Sequence, residues 1–224
     1  VTLTLLIGNK NYSSWSLRPW IAMKVAGIPF VERLIPLETP NFKATVSAIS
    51  GSGKVPALAD GVVHVWESLA ILEYLAEKFP AAALWPAGGA ARAHARTISA
   101  EMHAGFLPLR RDCPMNFWRP VKKRDLTPEA AGNVARINAI WSECRQRFGG
   151  SGKFLFGTFG VADAMYAPVV SRFHTYAVEV SATSRAYMDA VMQLPAWREW
   201  ESAARKEQWV LAQDEVDWPT VLRA

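Results

Sequence analysis

Long apolar runs are missing from this chain: no uninterrupted stretch approaches the roughly 18 residues that a membrane helix needs. No membrane span is therefore expected, although half of the residues are hydrophobic. Cysteine is scarce, with only Cys113 and Cys144 in 224 residues. They show no C-x-x-C spacing and no neighbouring histidine pattern, which argues against a zinc site and a thioredoxin-type redox pair, so no metal is expected. No secretory leader is expected either. Residues 1–7 are apolar, but no basic segment precedes them and no small-residue cleavage site follows, so they read as a strand. Few thiols and no leader point to a cytoplasmic protein. Polybasic arms are also lacking. The net charge is +5, but the densest clusters, Arg110-Arg111 and Lys122-Lys123-Arg124, are too short to track a phosphate backbone or a lipid surface. No nucleic-acid or membrane partner is expected. A small anionic ligand is the functional alternative to an ordinary solvated surface.

What is present changes character near residue 80. Leu3 to Ile7 form a short apolar run that ends at Gly8, a buried-strand signal. Leu17, Ile21, Val25 and Ile28 then recur at helical spacing, with Gly27 and Pro29 as the stop and Pro19 in the first turn. Residues 30–35 suit a second strand. Residues 57–59 and 62–66 flank Asp60-Gly61, which predicts a hairpin with a type I′ turn and places His64 on an edge or surface. Ser68 opens a helix with Leu72, Leu75, Ala76 and Phe79 on one face. The order β-α-β-(loop or helix)-β-β-α implies a mixed sheet with helices packed on it, in an α/β domain. Proline, alanine and glycine dominate the next stretch. The predicted division is a domain over 1–80, a linker over 81–89 and an all-helical domain over 90–224. In the latter, helices are expected over 90–111, from Thr127-Pro128-Glu129 to Gly149-Gly150, and over 161–178, 184–192 and 195–206. Val134, Ile137, Trp141, Cys144 and Phe148 share a face of the second, so Cys144 reads as a core thiol.

Three clusters bear on chemistry. A cis Val55–Pro56 bond after Lys54 would leave the Val55 N–H and C=O open at the sheet edge, where a peptide-like ligand can pair in β fashion. Glu67-Ser68 lies at a strand-to-helix junction. Ser68 and the first free N–H groups suit a carboxylate, and Glu67 suits an ammonium, the two charges of a free amino-acid end. The third cluster is Asn11-Tyr12-Ser13-Ser14-Trp15-Ser16-Leu17-Arg18-Pro19. Ser16 or Ser14 would cap the helix, and a hydroxyl there can donate to an anion with help from the helix dipole. Taken singly, each also reads as ordinary structure: a strand-starting proline, a capping serine beside a surface acid, a capping loop.

Together, in this order and spacing, the clusters resemble the glutathione transferase superfamily. The resemblance rests on the serine loop, on Gly53-Lys54-Val55-Pro56-Ala57-Leu58, on Asp60-Gly61, and on Glu67-Ser68-Leu69-Ala70-Ile71-Leu72-Glu73-Tyr74-Leu75. It is dense over the first 80 residues and loose beyond them. The Ser13-Ser14-Trp15-Ser16-x-Arg18 loop is most similar to a serine-type bacterial branch related to the zeta class, with Trp15 where that branch has cysteine. Gly160 stands where the family often has serine or threonine before the buried aspartate, Asp163.

The resemblance implies a thioredoxin-like N-terminal domain, a helical second domain and glutathione as cosubstrate. Glu67 and Ser68 would hold the γ-glutamyl end, the Val55 backbone would pair with the cysteinyl unit before Pro56, and Lys54 would face the glycyl carboxylate. Ser13 or Ser14 would donate to the sulfur, with Tyr12 as runner-up. A free thiol is roughly 3% thiolate at pH 7, and lowering its pKa by about two makes the thiolate the main form. Arg18 is a possible cation there, although a helix-surface or salt-bridge role is favoured. The stretch from Met102 to Trp118 is a candidate wall for the electrophile, in which Arg110 or Arg111 would favour an acidic acceptor and Cys113 is a possible reactive thiol. The implied function is conjugation of glutathione to a small hydrophobic electrophile, a detoxification chemistry, by a homodimer. The alternatives are a glutathione-dependent isomerase, dehalogenase or peroxidase, and a non-catalytic binding or scaffold protein.

Overall fold

The computed structural model describes residues 2–216; Val1 of the expected first strand and residues 217–224 of the expected helical domain lie outside the described residues. A four-stranded mixed sheet comes first, in spatial order β2-β1-β3-β4. Its strands are β1 (Leu3–Ile7), β2 (Phe30–Leu34), β3 (Ala57–Asp60) and β4 (Val63–Trp66). β1 pairs parallel with β2, Leu5 opposite Glu32, and antiparallel with β3, Leu5 opposite Leu58. Helices α1 (Ser14–Val25) and α3 (Ser68–Lys78) accompany the sheet, and the short α2 (Phe42–Ser47) fills the segment left open between loop and helix. β1 is apolar but for the half-buried Thr4, because both of its faces are covered. Leu5 and Ile7 join the main core with α1 and α3, whereas Leu6 turns to a smaller cluster with Ile35, Val46 and Ala57.

Three local expectations are corrected. The hairpin turn lies one residue later than Asp60-Gly61. Asp60 pairs with Val63, so Gly61 and Val62 form the turn. Gly61 alone has a positive φ, +61°, the pattern of a type II′ turn rather than I′. α1 ends at Val25, so Ile28 packs from beyond the helix, and Pro19 sits in its second turn, not its first. His64 is exposed on the edge strand β4, as expected.

The second part is helical: α4 (Gly89–Ala104), α5 (Leu107–Asp112), α6 (Pro128–Phe148), α7 (Val161–Thr175), α8 (Ala182–Met192) and α9 (Pro195–Ala204). The single helix expected over 90–111 is two. At Gly105 a side chain would meet the Glu101 carbonyl at 2.8 Å, and Phe106 adopts φ +62°, so the chain changes direction there. α6 starts as predicted: Thr127 Oγ1 accepts the Ala130 N–H at 3.3 Å. α7 is buried along almost its whole length and packs on α1. Trp20 of α1 meets Trp200 of α9 edge to face, with centroids 5.0 Å apart. One apolar core therefore runs from the sheet through α1 into the helices. Among the described residues no helix is long and apolar enough to cross a membrane.

Candidate active site

The loop from β1 into α1 sits where the two parts meet. Asn11 anchors it: its Oδ1 accepts the N–H groups of Phe117 (2.6 Å) and Trp118 (3.1 Å). The Glu207 carboxylate accepts the N–H groups of Lys10 (2.7 Å) and Asn11 (3.0 Å). Bonded at both ends, the loop holds Tyr12, Ser13, Ser14 and Trp15 against a cavity of about 400 Å³. Its other walls are Leu37, Phe42, Lys54, Val55, Arg110, Pro114, Met115, Arg172 and Asp214. A second cavity of about 240 Å³ shares Trp15, Lys54 and Val55 and adds Ser52, Pro56 and Glu67. Trp15, Lys54 and Val55 thus border both, and residues far apart in sequence, Ser13-Ser14, Lys54-Val55-Pro56 and Glu67, surround one divided space.

The candidate donors are not equivalent. Ser13 occupies the N-cap position of α1, so the cap is neither Ser16 nor Ser14, and its hydroxyl donates to Ser16 Oγ at 2.8 Å. Ser16 Oγ in turn accepts the Gly8 N–H. Ser14 is the first helical residue; its oxygen accepts from Arg172 Nη2 at 3.4 Å, which leaves its proton available to the cavity. The Tyr12 hydroxyl donates to Glu215 at 2.5 Å, and burial together with that carboxylate pushes its pKa up.

Val55–Pro56 is cis, and among the described residues no turn or loop hydrogen bond takes the Val55 N–H or C=O. Glu67 has φ +72° and faces His103 across the junction at 3.7 Å. Ser68 is fully buried and does not line either cavity; its oxygen accepts from Arg18 Nη1 at 3.3 Å. The free N–H groups of the first turn of α3 still open beside Glu67.

Arg18 is neither on a helix surface nor in a salt bridge, contrary to the favoured sequence reading. It is fully buried, with its guanidinium 4.2 Å from the Trp15 ring centroid. Arg110 lies 4.7 Å from that centroid, so two guanidinium groups lie over the indole ring, a cation–π arrangement. Burial pushes the Arg18 pKa down, and Arg110 and Arg172 add to the effect. Burial pushes Arg172 down to about 10, again with Arg110 contributing. Asp214 is pushed up to about 6 by burial.

Of the expected electrophile wall, Arg110, Pro114 and Met115 face the larger cavity, whereas Phe106, Leu109, Cys113, Phe117 and Trp118 are core. Arg111 is exposed and instead pairs with the buried Asp112. Cys113 is not a reactive thiol: it is fully buried, and desolvation pushes its pKa up to about 12, as it does for Cys144. Sequence reasoning missed Arg172 and Asp214. An arginine inside the apolar run Val169-Val170-Ser171-Arg172-Phe173 is the signal that could have marked the first; nothing local marked the second.

Two models of one family match this chain: "Glutathione S-transferase, N-terminal domain" over residues 12–78 and "Glutathione S-transferase, C-terminal domain" over residues 127–202. A probable maleylacetoacetate isomerase of Caenorhabditis elegans is 38% identical over 101 residues, 45% of this chain and 46% of that protein. The chain thus spans about half the length of that relative. The maleylacetoacetate isomerase of Rattus norvegicus is 28% identical over 179 residues, 77% of this chain and 78% of the rat protein. Among solved structures, a glutathione transferase homologue from Burkholderia with bound glutathione superposes with a TM-score of 0.69 at 23% identity, covering 92% of this chain and 100% of its own. A theta class glutathione S-transferase from Xanthomonas axonopodis, also with glutathione bound, gives 0.65 at 22% identity, covering 88% and 96%. At these identities the two structures speak to the fold.

Proposed function

The chain belongs to the glutathione S-transferase family, whose two domain models together match more than half of it, and from that membership we propose that it transfers the glutathione thiolate to a small electrophile. The observation that carries this reading is the convergence of Ser14, Lys54 and Val55 on one cavity. Glutathione, bound in the relatives from Burkholderia and Xanthomonas, fits the divided space as a peptide. Its γ-glutamyl end lies beside Glu67 and the N-terminus of α3, where Ser68, turned to Arg18, acts through its backbone N–H. The cysteinyl unit pairs with the Val55 backbone beside Pro56, and Lys54 faces the glycyl carboxylate. Ser14 is the donor to the sulfur in preference to Ser13 and Tyr12, whose protons already have acceptors. The charge of Arg172 on Ser14 strengthens that donation. A homodimer acting in the cytoplasm completes the reading, and sedimentation at micromolar concentration tests the dimer.

Calorimetry with glutathione is the direct test: heat at millimolar ligand or below is expected, and its absence would sink the proposal. A second reading, a glutathione-dependent isomerase, is favoured by the names of the nematode and rat relatives. The two separate by product: conjugation consumes glutathione in proportion to electrophile, whereas isomerisation returns it unchanged.

A further inference from the structure

We propose that Arg172 anchors a carboxylate on the second substrate, which makes the acceptor of this site an anionic electrophile rather than a neutral hydrophobic one. The inference rests on the glutathione reading above. Arg172 is 6% exposed and lines the larger cavity. Its Nη2 reaches only Ser14, at 3.4 Å, and its Nη1 has no hydrogen-bond partner among the described residues. A guanidinium offers five donors in a fork that fits a carboxylate; Asp214 lines the same cavity but forms no ion pair with Arg172 among the described residues, and a buried cation without a paired carboxylate is unfavourable until an anion arrives.

The surroundings deepen the positive field. Arg110 lines the same cavity, and its donors go to the neutral carbonyls of Met102, His103 and Gly105 that end α4, so its charge stays uncompensated. Arg18 stands behind Trp15 with two further donors unpartnered among the described residues. Asp214 is the acid among the lining residues, against Lys54, Arg110 and Arg172. In the glutathione reading Lys54 and the N-terminus of α3 serve the two carboxylates of the tripeptide, and Ser14 serves the sulfur. Arg172 Nη1 is left for the acceptor, while Pro114 and Met115 offer an apolar surface to its hydrocarbon part.

The test uses 4-chloro-3-nitrobenzoate and its methyl ester. In both, the thiolate sulfur forms a bond to the ring carbon that carries chlorine, and chloride leaves with the electron pair of the broken bond. Each kcat/KM is divided by the uncatalysed rate constant, which removes intrinsic reactivity. The acid should be preferred by about tenfold or more, the worth of a charge-assisted bond. Arg172→Met should abolish the preference: the acid should lose about tenfold more than the ester, whatever both lose together through the weaker support of Ser14. Because a buried substitution can unfold the chain, the wild type is tested alone as well. Unreactive 4-methyl-3-nitrobenzoate should compete with the electrophile, not with glutathione, and should give calorimetric heat on protein saturated with S-methylglutathione. No acid preference together with no such heat would overturn the proposal. So would a variant that loses acid and ester equally while the pKa of the bound thiol rises, which would assign Arg172 to the sulfur. Failure of S-methylglutathione itself to bind would overturn the glutathione reading instead. Nitrobenzoate heat that depends on Arg172 would then still support the anion site.

Discussion

Ser13 and Ser14 are neighbours in sequence and opposites in role. Both line the cavity, but the hydroxyl proton of Ser13 goes to Ser16 within the turn, whereas Ser14 accepts from Arg172 and has no acceptor for its own proton among the described residues. Ser14→Ala should therefore raise the pKa of bound glutathione by about one to two and lower kcat/KM by about ten- to hundredfold. Ser13→Ala should instead destabilise the fold by about 1 kcal/mol and leave the thiol nearly unchanged. Thiolate absorbance across a pH titration separates the two, and the reverse ranking would refute the assignment to Ser14. The sequence offered Ser13 or Ser14 as the donor without choosing between them, because the difference between them depends on Arg172, 158 positions away. The thiols are a second residue-scale case. Cys113 and Cys144, buried with pKa values near 12, should resist maleimide at neutral pH in the folded protein and react fully once it is unfolded. Rapid labelling of the native chain would contradict their burial.

At the scale of the element, the N-terminus of α7 depends on one side chain. The Asp163 carboxylate accepts the N–H groups of Leu155 at 3.0 Å and Gly160 at 2.9 Å. Burial pushes its pKa up to about 6, against the opposing effect of those two donors. The folded chain thus keeps this proton up to about pH 6, while the unfolded chain releases it near the ordinary value of about 3.9. The associated stability is complete below about pH 4 and is lost as pH rises through about 6. Relative to Asp163→Asn, which does not titrate, the wild type should lose on the order of 3 kcal/mol between these limits. Urea midpoints measured in parallel check this, and parallel profiles for the two proteins would contradict it. The start of α6 could be read directly in Thr127-Pro128-Glu129, because capping is local. The break between α4 and α5 could not: helical periodicity continues through Gly105 and Phe106, and the interruption comes from how the two helices pack.

Across the whole molecule, the sheet half and the helical half share one apolar core, with α1 against α7. Unfolding should therefore be a single transition, with tryptophan fluorescence and far-ultraviolet circular dichroism coinciding; two separated transitions would show the halves to be independent. The chain beyond α9 also reaches back to the serine loop, through Glu207 on Lys10 and Asn11 and through Glu215 on Tyr12. Glu207→Ala would leave two buried N–H groups without acceptors, a loss of about 1–3 kcal/mol each at most. The apparent affinity for glutathione should fall with it, because the loop that holds Ser14 loses one of its anchors. An unchanged glutathione titration would disconnect this contact from the site.

The sequence by itself determined the order of elements, the mixed sheet with a helical partner, and the candidate binding pieces Lys54-Val55-Pro56 and Glu67-Ser68. Strand and helix periodicity, caps and short motifs are local, and each of these pieces is a run of neighbouring residues. Only the tertiary structure decided that Ser13 gives its proton to Ser16 while Ser14 accepts from Arg172, that Arg18 and Arg110 both lie over the Trp15 ring, and that Arg172 and Asp214 line the same cavity. Those outcomes depend on which helix faces pack together, and on charges that burial removes from water, neither of which any short stretch of sequence encodes.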